Sequence, residues 1–206
     1  MKILFYKFAK GVVAVILFLI GGHFRIQNKE KIIEGPFVVV SPHSTWIEIL
    51  YLGRALTPQQ IYFMAKQELF KNKVFSWVLL HLGAFPVNRE KPGPSAIKAP
   101  IKLLRSGKVV GIFPSGTRNT SNIQLKRGAV TIAYKAGVPM LPAVYEGPKT
   151  VKELLKRKKI TIRFGDAIDF ESTEQEQKEI LEEKSQALME TFTKLRAEIK
   201  ETDIKK

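Results

Sequence analysis

Apolar and polar residues alternate along this chain in blocks that predict strands separated by helices. Short apolar runs are followed by longer segments whose apolar residues recur at helical spacing, and Gly or Pro stands at most boundaries. The predicted strands are residues 37–41, 61–65, 85–88, 109–113, 140–145 and 160–164, and the predicted helices are residues 46–56, 67–82, 95–105, 125–136 and 172–200. This alternation predicts an α/β fold: one domain with a mainly parallel, mixed sheet that helices cover on both faces.

The first 33 residues differ from this pattern. Residues 11–22 form an uncharged run, and Arg25, Lys29 and Lys31 follow it. As a helix the run spans about 18 Å, less than the roughly 30 Å of a bilayer core. A signal peptide would need a small-x-small cleavage site, which does not follow Ile20. We interpret residues 1–33 as a membrane-association arm and residues 34–206 as the domain, with a buried helix packed on the domain as the alternative for the arm.

Composition limits the kinds of site that the domain can hold. The chain has no Cys and three His among 206 residues, which excludes thiolate chemistry and makes a metal site improbable. The net charge is +15, and residues 1–148 carry 20 Lys and Arg but 6 Asp and Glu, a balance of +14. Such a charge suits nucleic acid, an anionic membrane surface or a phosphorylated substrate. The apolar arm favours the membrane over nucleic acid.

His43 follows the first predicted strand of the domain, at its junction with a helix. Ligands bind open α/β sheets outside the carboxyl ends of the strands, so an imidazole at this point is well placed for chemistry. Glu48 lies five residues on, and Pro42 keeps His43 outside the helix, from where the carboxylate is predicted to orient the imidazole. The alternative is a helix-entry histidine bonded to nearby backbone.

Cationic residues follow three further strands. In the loop after residues 109–113, Gly116 allows close approach to a ligand, Thr117 offers a hydroxyl and Arg118 offers a planar fork for phosphate oxygens. Lys66 and Arg89 follow the second and third strands. Because parallel strands end at one edge of a sheet, these groups and His43 are predicted to share a cleft. A plain turn with a solvated arginine is the alternative for Arg118.

Four motifs in order resemble the glycerolphosphate acyltransferases, and in particular the bacterial 1-acyl-glycerol-3-phosphate (lysophosphatidate) acyltransferases. The family carries HxxxxD, a middle block that ends in Arg, FPEGTRS and VPxxPV. This chain has HSTWIE at residues 43–48, AFPVNR at 84–89, FPSGTRN at 113–119 and VPMLPAV at 138–144. The resemblance covers about half of the chain, residues 38–144, and implies the glycerol-3-phosphate acyltransferase fold.

The resemblance also implies roles for the motif residues. His43 would take the proton from a glycerol hydroxyl that attacks the thioester of acyl-CoA or acyl-carrier protein, and Glu48 would hold the imidazole. Lys66, Arg89 and the loop with Gly116, Thr117 and Arg118 would bind the phosphate of a lysophospholipid acceptor. No metal or other cofactor is implied. The arm implies a place on the anionic, cytoplasmic face of a bacterial cell membrane.

Two residues depart from the family pattern. Glu48 stands where the family has Asp, and Ser115 stands where it has Glu. Phosphatidate synthesis from lysophosphatidate is the predicted function. The alternatives are an enzyme of the same fold that acts on another lysolipid or on glycerol-3-phosphate, a catalytically silent binder of anionic lipid, and, on charge alone, a nucleic-acid binder.

Overall fold

The computed structural model describes residues 2–88, 93–114, 123–170 and 176–204. Within these residues the chain forms one sheet of seven strands: β1 (Arg25–Gln27), β2 (Val38–Val40), β3 (Ile61–Lys66), β4 (Phe85–Val87), β5 (Val109–Ile112), β6 (Met140–Glu146) and β7 (Thr161–Phe164). The α-helices of the same residues are α1 (Lys2–Gly21), α2 (Trp46–Ala55), α3 (Lys73–His81), α4 (Ser95–Arg105), α5 (Ile123–Ala136), α6 (Val151–Leu155) and α7 (Gln177–Ile204). Short 3₁₀ helices cover Lys29–Lys31 and Gln67–Phe70.

The strand order across the sheet is β1-β7-β6-β2-β5-β3-β4. Every neighbouring pair is parallel except β6 and β7, so the prediction of a mainly parallel, mixed sheet is confirmed. The central strand β2 aligns Val40 with Ile112 of β5 and with Pro142 of β6. Because β2, β3, β4 and β5 run in one direction, their carboxyl ends meet at a single edge.

Helices cover both faces of the sheet in two layers. Val39 of β2 belongs to a core cluster with Leu17 of α1 and Leu154 of α6, and α2 packs in the same cluster. With α3, which contacts α1, these helices form a first layer. Val38 and Val40 belong to the opposite cluster, with the second layer of α4, α5 and α7. Side chains that alternate along a strand explain why neighbouring valines face opposite cores.

One face of α1 is bonded to the domain. Leu17 is 4% exposed, and its carbonyl oxygen accepts a hydrogen bond of 3.4 Å from the Tyr51 hydroxyl. The Arg54 guanidinium donates to the Ala14 carbonyl oxygen at 3.0 Å. A Cβ added at Gly21 would overlap the Tyr51 hydroxyl, so this glycine permits the close approach of α1 to α2.

The other face of α1 is exposed, with Phe8, Val15 and Leu19 in contact with solvent. Among the described residues no helix combines the length and the apolarity needed to cross a membrane. One face of α1 is therefore packed on the domain, as in the alternative interpretation of the arm. Membrane association of the exposed face stays a prediction.

The structure corrects several predicted element boundaries. The helix predicted over residues 67–82 is a 3₁₀ helix followed by α3, because the Asn72 side chain accepts a hydrogen bond of 3.0 Å from the Phe75 N–H and starts a new helix. The last helix begins at Gln177 and continues to Ile204. The helix α4 covers Ser95–Arg105, as predicted. The strand β1 and the short helix α6 were not predicted.

Candidate active site

The junction between β2 and α2 holds the first candidate catalytic residue. The Ser41 N–H donates to the Ile112 carbonyl oxygen at 3.3 Å, which carries the β2–β5 pairing one residue past the strand. Thr45 then starts α2: its side-chain oxygen accepts from the Ile47 N–H at 3.3 Å, as an N-cap does. His43 lies between these two anchored residues and is half-buried at the carboxyl edge of the sheet.

Glu48 lies in the first turn of α2 and is fully buried. Its carboxylate accepts hydrogen bonds from the Ser41 hydroxyl at 2.7 Å, from the Ser44 N–H at 2.9 Å and from the Ser44 hydroxyl at 3.2 Å. Burial raises the pKa of the Glu48 carboxyl above its usual range, and the hydrogen bonds from Ser44 and Ser41 oppose that shift. The α2 N-terminus also favours a negative charge at this position.

The carboxylate of Glu48 therefore stabilises, through hydrogen bonds, the turn that carries His43. Its hydrogen bonds to Ser41 and Ser44 lie on either side of the histidine. Glu48 fixes the backbone on which His43 is mounted. Its orienting action on the ring itself stays a prediction.

An aromatic pair that the sequence did not predict packs beside His43. The imidazole and the Phe113 ring have centroids 4.9 Å apart, and Phe113 stacks on Phe63 at 5.7 Å with an interplanar angle of 14°. A Cβ added at Gly111 would overlap the Phe63 ring, so this strand glycine leaves room for the stack. An isolated glycine inside a predicted strand was the available sequence signal of such a close approach.

A cavity of about 350 Å³ leads from His43 into the first layer. Its wall is mainly apolar and comes from α1, α2, β3 and α3, including Val13, Leu17, Leu50, Phe63, Leu79 and Leu82. Lys66, at the end of β3, lines the same cavity as His43, so two of the predicted site residues lie at one cleft. Lys10 of α1 also reaches this cavity, and burial lowers the pKa of its ammonium group.

The remaining predicted site residues, Arg89, Gly116, Thr117 and Arg118, lie outside the described residues, and their phosphate-binding roles stay predictions. The two segments that lead to them, β4 and β5, end at the same sheet edge as β2 and β3. Among the residues that the structure describes, no group of three or more His, Asp or Glu side chains is arranged to hold a metal ion.

The site combines a histidine, a lysine and an apolar cavity at the carboxyl edge of an α/β sheet. Comparison with known proteins assigns the chain to a class. A family model described as "Acyltransferase" matches residues 23–146, which is more than half of the chain. The chain therefore belongs to the acyltransferase family, as its motifs predicted. It is an enzyme of the acyl-transferring class.

Named relatives make the assignment more specific. The chain is 48% identical over 164 residues to a 1-acyl-sn-glycerol-3-phosphate acyltransferase of Bacillus subtilis (strain 168), an alignment that covers 79% of this chain and 82% of that protein. It is 37% identical over 201 residues to the Streptococcus pneumoniae protein of the same description, covering 96% and 75% of the two chains. The crystal structure of the 1-acyl-sn-glycerophosphate (LPA) acyltransferase PlsC from Thermotoga maritima superposes with a TM-score of 0.64 at 22% identity, over 90% of this chain and 78% of that one. The fold is shared with that structure.

Proposed function

We propose that this enzyme transfers an acyl group from a thioester donor, acyl-CoA or acyl-carrier protein, to the free hydroxyl of 1-acyl-sn-glycerol 3-phosphate, giving phosphatidate. The observation that carries the proposal is that His43 and Lys66 line one cavity whose wall is mainly apolar. A base, a cation and an apolar surface are the three features that an acceptor with a hydroxyl, a phosphate and an acyl chain requires. The descriptions of the Bacillus and Streptococcus relatives support the same acceptor.

The reaction needs a base within reach of the acceptor. The imidazole of His43 removes the proton from the glycerol hydroxyl while that oxygen attacks the carbonyl carbon of the thioester. An ester C–O bond forms, the C–S bond breaks, and the imidazolium returns the proton to the departing thiolate. Phe113 stacks on Phe63 and packs against the imidazole of His43. This contact holds the imidazole in position before substrate binds.

Lys66 supplies positive charge for the acceptor's phosphate. Lys66 is exposed at the end of β3, where its ammonium group acts on phosphate oxygens as a point charge. Arg89 and Arg118 complete the phosphate site in this proposal, because each follows a strand that ends at the same edge. Glu48 keeps the turn with His43 in place and balances the imidazolium that forms during the reaction.

We also propose that the first layer rests on the cytoplasmic surface of the cell membrane. Among the residues whose burial is described, fourteen large apolar side chains are more than a third exposed. All of them lie on the first-layer side of the molecule, in α1, α2, the 3₁₀ helix at Gln67–Phe70, α3 and α6. Val74, Trp77 and Leu80 of α3 are each at least half exposed. An apolar surface of this kind is typical of membrane contact, and it opens the cavity towards lipid.

An acceptor panel tests the reaction. The purified full chain in mixed micelles is given a labelled acyl group on each donor form and, in turn, lysophosphatidate, glycerol-3-phosphate, lysophosphatidylcholine and lysophosphatidylethanolamine. We expect labelled phosphatidate as the main product. A higher kcat/KM with another acceptor would show that this acceptor, and not lysophosphatidate, is the preferred substrate. Vesicle binding without product from any donor and acceptor combination would favour the catalytically silent lipid binder.

Vesicle flotation tests the membrane surface. The double variant Val15→Asp/Leu19→Asp places charges on the exposed face of α1, and Ala197→Asp makes a matched change on exposed α7. We expect the double variant to lose binding to vesicles that contain anionic lipid, with binding of Ala197→Asp unchanged. Equal vesicle binding of both variants would show that the first layer is not the membrane contact.

A further inference from the structure

A short cationic segment lies beside the exposed face of α1, and the proposed reaction does not use it. Residues 149–159 cover α6 and the loop that follows it, and they hold six Lys and Arg and one carboxylate. Residues 160–206 have the opposite balance, with eight Lys and Arg and twelve Asp and Glu. The six cations are all exposed, and we call them the α6 cluster: Lys149, Lys152, Lys156, Arg157, Lys158 and Lys159.

The side chains of α6 point in three directions. Leu154 is buried in the core of the first layer. Val151 and Leu155, four residues apart, are exposed and form an apolar stripe. Lys152 and Lys156 each follow one of these residues by one position, so they form a stripe of charge beside it. Exposed apolar residues bordered by lysines are typical of a helix that lies at a lipid surface.

Contacts with α1 join this surface to the proposed membrane contact. The Arg157 guanidinium donates to the Leu19 carbonyl oxygen at 3.2 Å and so caps the C-terminal end of α1. Leu19 itself has an exposed side chain on the outer face of α1. A Cβ added at Gly21 would overlap the Leu154 side chain, which shows how closely α6 approaches α1. The apolar stripe of α6 therefore continues the exposed face of α1.

The cluster keeps a net positive charge after its internal pairing. Its one carboxylate, Glu153, pairs with Lys158 at 3.0 Å. Among the residues that the structure describes, Lys152 and Lys156 form no ion pair. Arg25 adds a further exposed cation, because its N–H donates at 2.9 Å to the carbonyl oxygen of the residue that follows the cluster. Pairing and capping thus leave most of the positive charge directed at solvent.

The cluster lies at the same edge of the sheet as His43. The strand β6 runs parallel to β2, extends beyond its carboxyl end and leads into α6. The Thr45 hydroxyl, two residues after His43, donates to the Lys149 carbonyl oxygen at 2.9 Å. Trp46, the next residue, is exposed at this edge, and an indole is typical of the interface between membrane and water. A surface that binds the α6 cluster is therefore next to the turn that carries the candidate base.

The apolar stripe decides between the anionic partners that a cationic surface can bind. A lipid offers phosphate and hydrocarbon together, and both kinds of side chain on α6 are then used. A nucleic acid would use the charge and leave Val151 and Leu155 in water. Continuity with the exposed face of α1 also favours the bilayer, because one flat surface can contact both helices.

We infer that the α6 cluster binds the phosphate groups of anionic phospholipids and holds the carboxyl edge of the sheet against the bilayer. The inference rests on the membrane contact in the proposed function, since it names the lipid class that this contact selects. The apolar residues of α1 and α6 supply binding to any bilayer, and the cluster supplies additional binding to an anionic one. Salt screens the additional binding over a length of about 10 Å at 0.1 M ionic strength.

Vesicle flotation of the full chain tests the cluster with two matched double variants. Lys152→Gln/Lys156→Gln removes two exposed charges from α6, and Lys98→Gln/Lys102→Gln removes two exposed charges at the same spacing from α4 in the second layer. The vesicles contain phosphatidylcholine alone or phosphatidylcholine mixed with phosphatidylglycerol.

For the α6 variant we expect Kd for the anionic vesicles to rise at least about tenfold, since each cation near an anionic surface contributes about fivefold. Its Kd for phosphatidylcholine vesicles should stay within about twofold, because the apolar residues are unchanged. The α4 variant should bind both kinds of vesicle as the unmodified chain does. Thermal melts of each variant show that the fold is kept.

Several results would overturn the inference: equal binding of the unmodified chain to both kinds of vesicle, no loss in the α6 variant, an equal loss in the α4 variant, or nucleic-acid binding that is tighter than vesicle binding and is lost in the α6 variant. Turnover in non-ionic detergent micelles keeps this outcome apart from the proposed reaction. Phosphatidate formation without a preference for anionic vesicles removes the role of the cluster and retains the reaction. A preserved preference without phosphatidate removes the reaction and retains the cluster.

Discussion

The two helical layers pack on the same sheet but differ in what they leave open. In the first layer the core is interrupted by a cavity of about 350 Å³ that ends at His43, and the outer surface carries exposed apolar side chains. In the second layer Leu104, Ala129 and Leu188 are fully buried, and the outer surface is charged. The two faces of the sheet therefore differ: the first carries the cavity that leads to His43, and the second carries a well-packed core that stabilises the fold.

The largest expected effect is on the reaction, at the border of the two layers. His43→Ala removes the proposed base, and we expect kcat/KM for phosphatidate formation to fall by about 10² to 10⁴. The urea-unfolding midpoint should change little, because His43 is half-buried and lies in a turn rather than in either core. Steady-state kinetics and urea unfolding of the same preparation check both parts. Near-normal turnover in this variant would remove His43 as the base.

Leu104→Ala tests whether the second layer acts on stability alone. Leu104 is fully buried, so its truncation should lower the free energy of unfolding by about 2–5 kcal/mol. Because Leu104 lies on the face of the sheet opposite the cavity, kcat/KM per folded molecule should stay within about twofold at temperatures well below the melting point. A large loss of turnover at full folding would show that the layers are coupled more closely than their separate cores indicate.

Gly111→Ala adds one methyl group next to the stacked rings of Phe63 and Phe113. The new Cβ overlaps the Phe63 ring, so Phe63 must move away from Phe113, and we expect a cost of about 1–3 kcal/mol in unfolding free energy. Unlike Leu104→Ala, this change should also lower kcat/KM, since Phe113 packs against His43. Gly128→Ala on α5 is the control: its Cβ meets no atom within 4 Å, so kcat/KM should be unchanged, and the unfolding free energy should not fall because Ala favours a helix over Gly.

Glu48→Gln gives the smallest effect, on the pH dependence of stability. Since burial raises the pKa of Glu48 above 4.5, the folded state holds this proton more tightly than the unfolded state does. The unfolding free energy of the unmodified protein, relative to Glu48→Gln, should therefore fall as the pH rises above 4.5, and then level off once the folded-state pKa is passed. Urea unfolding of both proteins from pH 4.5 to 8 measures the difference.

A relative stability that rises with pH would mean that the hydrogen bonds from Ser41 and Ser44 outweigh the desolvation of the carboxylate. Turnover gives a separate result for the same variant. If Glu48→Gln left turnover unchanged, the orienting action on His43 would have to come from another group.

Sequence reasoning succeeded where short-range patterns determine structure. The α4 helix and the start of α2 at Trp46 follow from apolar spacing, and both agree with the structure. The three-residue strand β1 was missed because only one of its residues, Ile26, is apolar, and α6 is too short to show a helical period. β1 forms against its neighbour β7, whereas α6 is capped by its own sequence: the Thr150 hydroxyl accepts from the Glu153 N–H at 3.2 Å, and the Glu153 carboxylate accepts from the Lys149 N–H at 2.8 Å.

The site was predictable in part for the same reason. Strand ends gather at one edge, so His43 and Lys66 were expected to share a cleft, and they line one cavity. The stacking of Phe113 on Phe63 depends on the register in which β3 meets β5, which no local pattern specifies. The cavity wall also depends on how α1 packs on the domain. α1 accepts hydrogen bonds from Tyr51 and Arg54 through its backbone carbonyl oxygens, and because every residue has such a group, the sequence does not show which ones are used.

The pairing of β1 with β7 has a consequence for the time at which the protein folds. Gln27 of β1 accepts a hydrogen bond of 2.9 Å from Arg163 of β7, across 136 residues of chain. At about 5–20 residues per second, the ribosome needs roughly 7–27 seconds to supply β7 after β1 has been made. During this interval β1 has no partner strand, and the apolar face of α1 is available to a membrane before the sheet is complete. Under the membrane contact proposed above, we expect α1 of the nascent chain to reach the lipid surface before the sheet is complete.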